Sequence, residues 1–259
     1  MCVEQNTPDQ QQTIVDVICA YLRMPYTPPE DQPSAEDAPA KVRTRYENRR
    51  QELQVRLTAQ RILGAHLRPE AAEAFWPSMD LDLTQAHLHS LDLTHCHVHT
   101  AQFDGAQFAG LAQFTGANFA GRAGFTGAKF AEDAMFVGAE FAGDASFAQT
   151  VFVARARFNR AQFAGNVWFE KAQFDSYAWF DSAQFGCARF DSAQFTKRPM
   201  FNEARLTSGE SHVLPAGWIT RAARTTEGEK EGWLYVVRVE DGGERQPDRR
   251  DSEAGTSGT

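Results

Sequence analysis

From Leu83 onward one large apolar residue returns every five or six positions, and what lies between is mostly small or polar. The centres fall at 83, 88, 93, 98, 103 and 108, then at 114, 119, 125, 130, 136, 141, 147, 152, 158, 163, 169, 174, 180, 185, 190, 195, 201 and 206. That makes 24 units, and 19 of the 20 Phe lie on the series, unbroken from Phe103 to Phe201. Two places before each centre stands a small residue, usually Ala, as at Ala101, Ala106, Ala112, Ala117 and Ala123.

The spacing excludes a helix. At about 100° per residue successive centres would diverge by roughly 140°, giving two separate stripes. Gly105, Gly110, Gly116, Gly121, Gly127, Gly138, Gly143 and Gly165 all follow a centre by two places. In a helix interior these glycines would cost on the order of 8 kcal/mol together. Short extended units fit instead. Alternation points the centre and the Ala two places before it inward, and the polar neighbours of the centre outward. A turn after each unit accounts for the Gly, Ser and Asn there. Such self-similarity predicts a repeat architecture in which each unit leans on its neighbours.

The units AQFDG, AQFAG, ANFAG and AKFAE resemble pentapeptide repeats, small-x-[Leu/Phe]-x-x, over about 81–208. The resemblance implies a mainly β fold, a right-handed quadrilateral β-helix with four units per coil and about six coils here. Phe replaces the family's commoner Leu, and the sixth residues depart from its pattern. With faces A to D numbered from Leu83, face A stacks Leu83, Phe103, Phe125, Phe147, Phe169 and Phe190, and face C stacks Leu93, Phe114, Phe136, Phe158, Phe180 and Phe201. The extra residues then fall at two opposite corners: Leu111, Asp133, Arg155, Tyr177 and Arg198 between B and C, and Arg122, Asp144 and Asn166 between D and A. Adjacent coils are expected to bring Asp133 to Arg155 and Arg122 to Asp144, about 4.8 Å of coil spacing apart.

The flanks read differently. Residues 1–78 form an N-terminal helical segment interrupted by a Pro-rich linker at 24–39. Ile14, Val17, Ile18, Tyr21 and Leu22 share helical spacing in the first helix; Val55, Leu57, Ile62, Leu63 and Leu67 are the apolar residues of the second, over 40–68. That second helix and FWPSM (75–79) are candidates to cover the open end of the β-helix, which spans 79–208. In 209–240, VLPAGWIT and GWLYVVRV flank a charged turn and predict a C-terminal β cap; a homodimer through the same strands is the rival. Residues 241–259 lack large apolar side chains and read as a disordered tail.

Charge narrows the partners. The chain carries a net charge of −8, with −5 in residues 1–100 (9 basic, 14 acidic), zero in 101–206 (10 and 10) and −3 in 207–259 (7 and 10). No basic surface for nucleic acid is expected. The longest apolar-leaning run, TIVDVICAYL at 13–22, contains Asp16 and is too short to span a bilayer, so direct membrane insertion is not expected. Cys2, Cys19, Cys96 and Cys187 have no metal-finger or disulfide-framework spacing, which fits a reducing, cytoplasmic setting. His87 and His89 flank Leu88 on face B, whereas His97 and His99 flank Val98 on the opposite face, so solvated histidines are expected rather than a metal site. No nucleophile elbow, phosphate loop or nucleotide fingerprint is present, and neither an enzyme nor a cofactor is expected.

One surface stripe stands out. Outward on face C lie Asp92, Gln113, Met135, Arg157, Trp179 and Met200, with Tyr177 at the neighbouring corner. Aromatic, Met and Arg side chains are enriched at protein contacts, so Met135, Arg157, Tyr177, Trp179 and Met200 are the candidate partner-binding residues. The leading expectation is a non-catalytic scaffold for an unknown protein partner. TIVDVICAYLRMPYTPP (13–29) and QVRLTAQRILGAHLRP (54–69) are similar to actinobacterial pentapeptide-repeat proteins, many of which carry membrane helices ahead of these stretches. The chain begins at the first of them, so a shortened member or a displaced start is expected, and the soluble part of a membrane-tethered regulator is one alternative. A DNA mimic that binds type II topoisomerase, a role of some members, is the other; it requires an acidic rod.

Overall fold

A computed structural model describes residues 7–29, 39–222 and 232–239. The charged turn at 225–231, linker residues 30–38, Cys2 and the tail 241–259 lie outside the described residues. Two helices, α1 (Pro8–Arg23) and α2 (Ala40–His66), precede a short 3-10 turn, Pro69–Ala74, and then a coil of short strands running from Leu81 to Thr207.

Strands of successive coils pair in parallel, one centre directly above the next: Phe108 pairs with Phe130, Phe130 with Phe152, and Phe152 with Phe174 on face B. Face D repeats this with Phe119, Phe141 and Phe163. The molecule is a right-angled β-solenoid of about six coils, as the repeat spacing implies. Every inward Phe from Phe103 to Phe190 is buried, and Ala fills the inward place two residues earlier almost everywhere. Thr150 takes that place once and satisfies its hydroxyl by donating to the Phe125 carbonyl at 2.6 Å.

The rings form four columns. Fifteen pairs one coil apart have centroids 4.3–5.4 Å apart and planes within 15° of parallel. Phe125 lies over Phe147 at 4.8 Å and 4°. Columns A and C meet edge to face, as in Phe125–Phe136 at 5.5 Å and 89° and Phe136–Phe147 at 5.3 Å and 85°. Offset stacks and T-shaped pairs are the two arrangements that the ring quadrupole favours, so one side chain satisfies both along and across the rod.

Two kinds of corner alternate. After every centre on faces A and C the residue two places on has positive φ, from Gln85 and His95 to Ser192 and Glu203. The amide of the next residue donates to the centre's carbonyl, as Ala128 does to Phe125 at 3.0 Å. This is the hydrogen bond of a type II turn, and the units that contain it have five residues. The six-residue units make the other two corners. On the D–A edge the unit Phe163–Phe169 has six residues and its successor Phe185–Phe190 five, and the pairing shifts register there, between Phe163 and Asn166. A bulge absorbs the extra residue.

The ends are closed by different means. The first coil's strand edges receive polar groups from the helices: Gln12 of α1 bonds both N–H and C=O of Asp80 (2.8 and 2.9 Å), and Gln60 of α2 does the same to His89 (3.1 and 2.8 Å). Arg68 donates to the Thr94 carbonyl at 2.9 Å, and the Leu67 carbonyl accepts from His97 at 2.7 Å. All four faces of the first coil thus have a partner for an otherwise open edge. Of the apolar positions expected on the helices, Leu22, Leu63 and Leu67 are buried and Ile18 and Tyr21 pack against the core, but others are corrected to solvent-facing. Val17, Val55 and Ile62 are 64%, 54% and 40% exposed, while α1 buries Val15, Cys19 and Leu22, and α2 buries Arg56, Ala59, Gln60, Leu63 and Gly64. The helices pack on backbone edges, which require hydrogen-bonding side chains and close approach more than bulk. A Cβ at Gly64 would come within 2.8 Å of the Asp92 carbonyl. At the far end, Trp233–Arg238 pairs antiparallel with Arg205–Thr207, and Trp218–Ala222 pairs antiparallel with Trp233–Arg238.

Candidate functional site

The outward residues of face C form one continuous column. Asp92 pairs with Gln113, Gln113 with Met135, Met135 with Arg157, Arg157 with Trp179, and Trp179 with Met200. The small inward Ala at 112, 134, 156 and 178 sits just before each outward residue, so the backbone holds the column straight. Met135, Arg157, Trp179 and Met200 are half-buried against one another, and Tyr177 at the corner is 46% exposed.

Two contacts shape this column that spacing alone does not predict. The Arg157 guanidinium lies over the Trp179 ring, 5.2 Å from its centroid, and Tyr177 stacks on Trp179 with centroids 5.5 Å apart and planes at 24°. The register that places Tyr177 in the B–C corner and Trp179 two residues on is the signal that could have found the ring pair. The Nε of Arg157 is buried without a hydrogen-bond partner, so packing on Trp179, rather than hydrogen bonding, sets that side chain's position. At the same corner the Arg155 Nε donates to Asp133 at 3.0 Å. Burial acts to raise the Asp133 carboxyl, but the Arg155 hydrogen bonds and charge prevail and hold it below the usual carboxylate range. The expected partner of Asp144 is corrected: its carboxylate takes the backbone and side-chain N–H of Asn166 at 2.9 and 3.0 Å, and Arg122 forms no ion pair with it.

Other chemistry-bearing residues do not converge. His95, His97 and His99 are exposed, His99 bonds Asp80 at 2.8 Å, and among the described residues no group of His, Cys, Asp or Glu is placed to hold a metal. Burial pushes the thiols of Cys19 and Cys96 up to about 12, far from a thiolate nucleophile at neutral pH. No helix among the described residues is long and apolar enough to cross a membrane.

Arg56 is the residue that sequence reasoning missed. It is 3% exposed and donates to the Leu22 and Met24 carbonyls at 2.9 Å each and to Glu52 at 2.9 Å, with its guanidinium 4.5 Å from the Tyr26 ring centroid. It fastens the C-terminal end of α1 to α2. The one signal for it is its place at i−3, i−4 and i−7 from Ala59, Gln60 and Leu63, on the face that turns inward.

A family profile described as Pentapeptide repeats (9 copies) matches residues 83–129, 103–151, 125–173, 136–184 and 158–205. Residues 83–205 are pentapeptide repeats. No curated protein matches the chain. In the pentapeptide-repeat rod the interior is filled by rings and Ala, so any recognition falls to the outward residues and to the two ends.

Proposed function

We propose that the chain is a non-catalytic scaffold whose pentapeptide-repeat rod docks another protein along face C. The observation that carries this reading is the unbroken column Met135–Arg157–Trp179–Met200 with Tyr177 beside it. A rigid backbone presents these side chains already packed, which lowers the ordering cost of binding. Trp, Tyr and Arg are the residue types that dominate binding hot spots. Cytoplasmic placement belongs to the same reading, since Cys19, Cys96 and Cys187 are free thiols. So does the actinobacterial kind of repeat protein, supported by the stretches at 13–29 and 54–69. A DNA mimic is disfavoured by the balance of 10 basic and 10 acidic residues over 101–206. The test is affinity capture with the natural chain and with a Trp179→Ala/Met135→Ser variant of equal thermal stability. Loss of a specifically captured protein from the variant is expected; unchanged capture contradicts the assignment.

A further inference from the structure

Three of the four ring columns are closed at the C-terminal end, and one is not. Column C ends at Phe201, which Trp218 covers at 5.0 Å. Column D ends at Leu206, fully buried and paired with Leu234 of the terminal hairpin. Column A ends at Phe190, 2% exposed, whose amide donates to the Val213 carbonyl at 2.8 Å. Column B ends at Phe195, which stacks on Phe174 at 4.6 Å and 3° on one side. Its other side faces a cavity of about 350 Å³ whose lining includes Phe195, Pro199, Pro215, Trp218, Arg198 and Arg238. Phe195 is only half-buried as a result.

From the geometry we infer that this cavity is a binding site for a planar aromatic ring that carries a carboxylate. The column sets the shape. Its rings repeat at 4.3, 5.0, 4.8 and 4.6 Å with planes within 10° of parallel, so the next place above Phe195 suits another flat ring in the same orientation. The walls suit it too, with Trp218 and two prolines beside it. The lining sets the charge, because the exposed guanidinium of Arg198 stands at the cavity. Outside the described residues the sequence offers no further aromatic ring. Residues 1–6, 30–38, 223–231 and 240–259 contain no Phe, Tyr, Trp or His. The volume is in the range of small-molecule sites, at the low end of roughly 300–1,000 Å³. The ring comes from a free aromatic acid or from an aromatic side chain beside an acidic one.

The inference is independent of the face C reading, since it uses none of Met135, Arg157 or Trp179. The experiment is calorimetric and saturation-transfer titration of the full chain with benzoate, benzamide, cyclohexanecarboxylate and acetyl-Phe-Asp-amide. One site per chain is expected for benzoate, for the dipeptide, or for both, with affinity in the range of about 0.1–10 mM. Binding of benzoate alone assigns a free acid and binding of the dipeptide alone a protein segment. Phe195→Ala should weaken the bound probe roughly tenfold. Arg198→Gln, at an exposed position that leaves the fold intact, should weaken it roughly fivefold and erase the preference for benzoate over benzamide. No saturable binding of either probe, equal binding by Phe195→Ala, or cyclohexanecarboxylate binding as well as benzoate would overturn the assignment.

Discussion

The middle of the rod and its N-terminal cap solve the same problem in opposite ways. Between Phe103 and Phe201 each coil covers the next with rings, and the interior holds almost no polar group; Thr150 is an exception, bonded to a carbonyl. The cap covers the first coil with two helices that bury Val15, Leu22 and Leu63 in the common core and meet the open strand edges through Gln12, Gln60, Arg68 and the ion pair of Arg23 with Asp82. One region is a periodic apolar stack, and the other adds a set of unique polar clasps to its apolar contacts. The difference teaches that cohesion along a solenoid comes from repetition, whereas its termination requires non-repeating residues that imitate the missing strand.

The contrast can be broken most strongly from inside the stack. Phe147 touches rings above, below and across the rod, so Phe147→Ala should cost about 3–5 kcal/mol in denaturant melts. A loss under about 1 kcal/mol would mean that the ring is not inward. Arg56→Ala should be smaller, about 2–3 kcal/mol, because it frees two carbonyls and a cation–ring contact rather than emptying the core. Its signature is local: hydrogen exchange should accelerate through α1 and the start of α2, with the amides of face D unchanged.

Acid should loosen particular contacts in both regions without any substitution. Burial acts to raise the carboxyls of Asp80 and Asp92, but hydrogen bonds from Thr100 and His99 to Asp80, and from Thr94 with the charge of Arg68 to Asp92, hold both below their ordinary value. A carboxyl depressed in the folded state adds stability above its unfolded pKa, about 4, and loses it as pH falls through the lower folded value. Below about pH 4 the Arg68–Asp92 link at the end of α2 and the Asp133–Arg155 corner of the rod should therefore both weaken. Site-resolved amide hydrogen exchange around Asp92 and around Asp133 reads the two contacts separately. Unchanged exchange at both places below about pH 4 would contradict the assignment. The smallest effect sharpens the corner rule: Gly127 has φ +66, and nothing lies within 4 Å of an added Cβ. Gly127→Ala should cost about 1 kcal/mol through backbone strain alone.

The ring columns, the inward Ala and the corner positions of Asp133, Arg155 and Tyr177 were legible in the sequence, because a fixed spacing in a closed coil leaves each residue one place to be. Side-chain choice at those places was less so. Asp144 faces both Arg122 and Asn166 from adjacent coils, and it accepts two hydrogen bonds from Asn166. The helix faces were illegible for a different reason. Gln60 and Arg56 look like surface residues until their partners appear, and those partners are backbone atoms of His89, Leu22 and Met24, which no side-chain pattern announces. The face C column followed from the register, but the stacking of Arg157 and Tyr177 on Trp179 depends on rotamers that spacing leaves free.

The claim beneath all of this is that Phe rings one coil apart lie in contact. Nuclear Overhauser spectroscopy on a chain with selectively labelled Phe125 and Phe147 tests it most directly. A strong ring-to-ring cross-peak between the two is the predicted result, from centroids 4.8 Å apart. Absence of that cross-peak, with Phe125 giving ring contacts only to residues nearer in sequence, would contradict the stacked-column account.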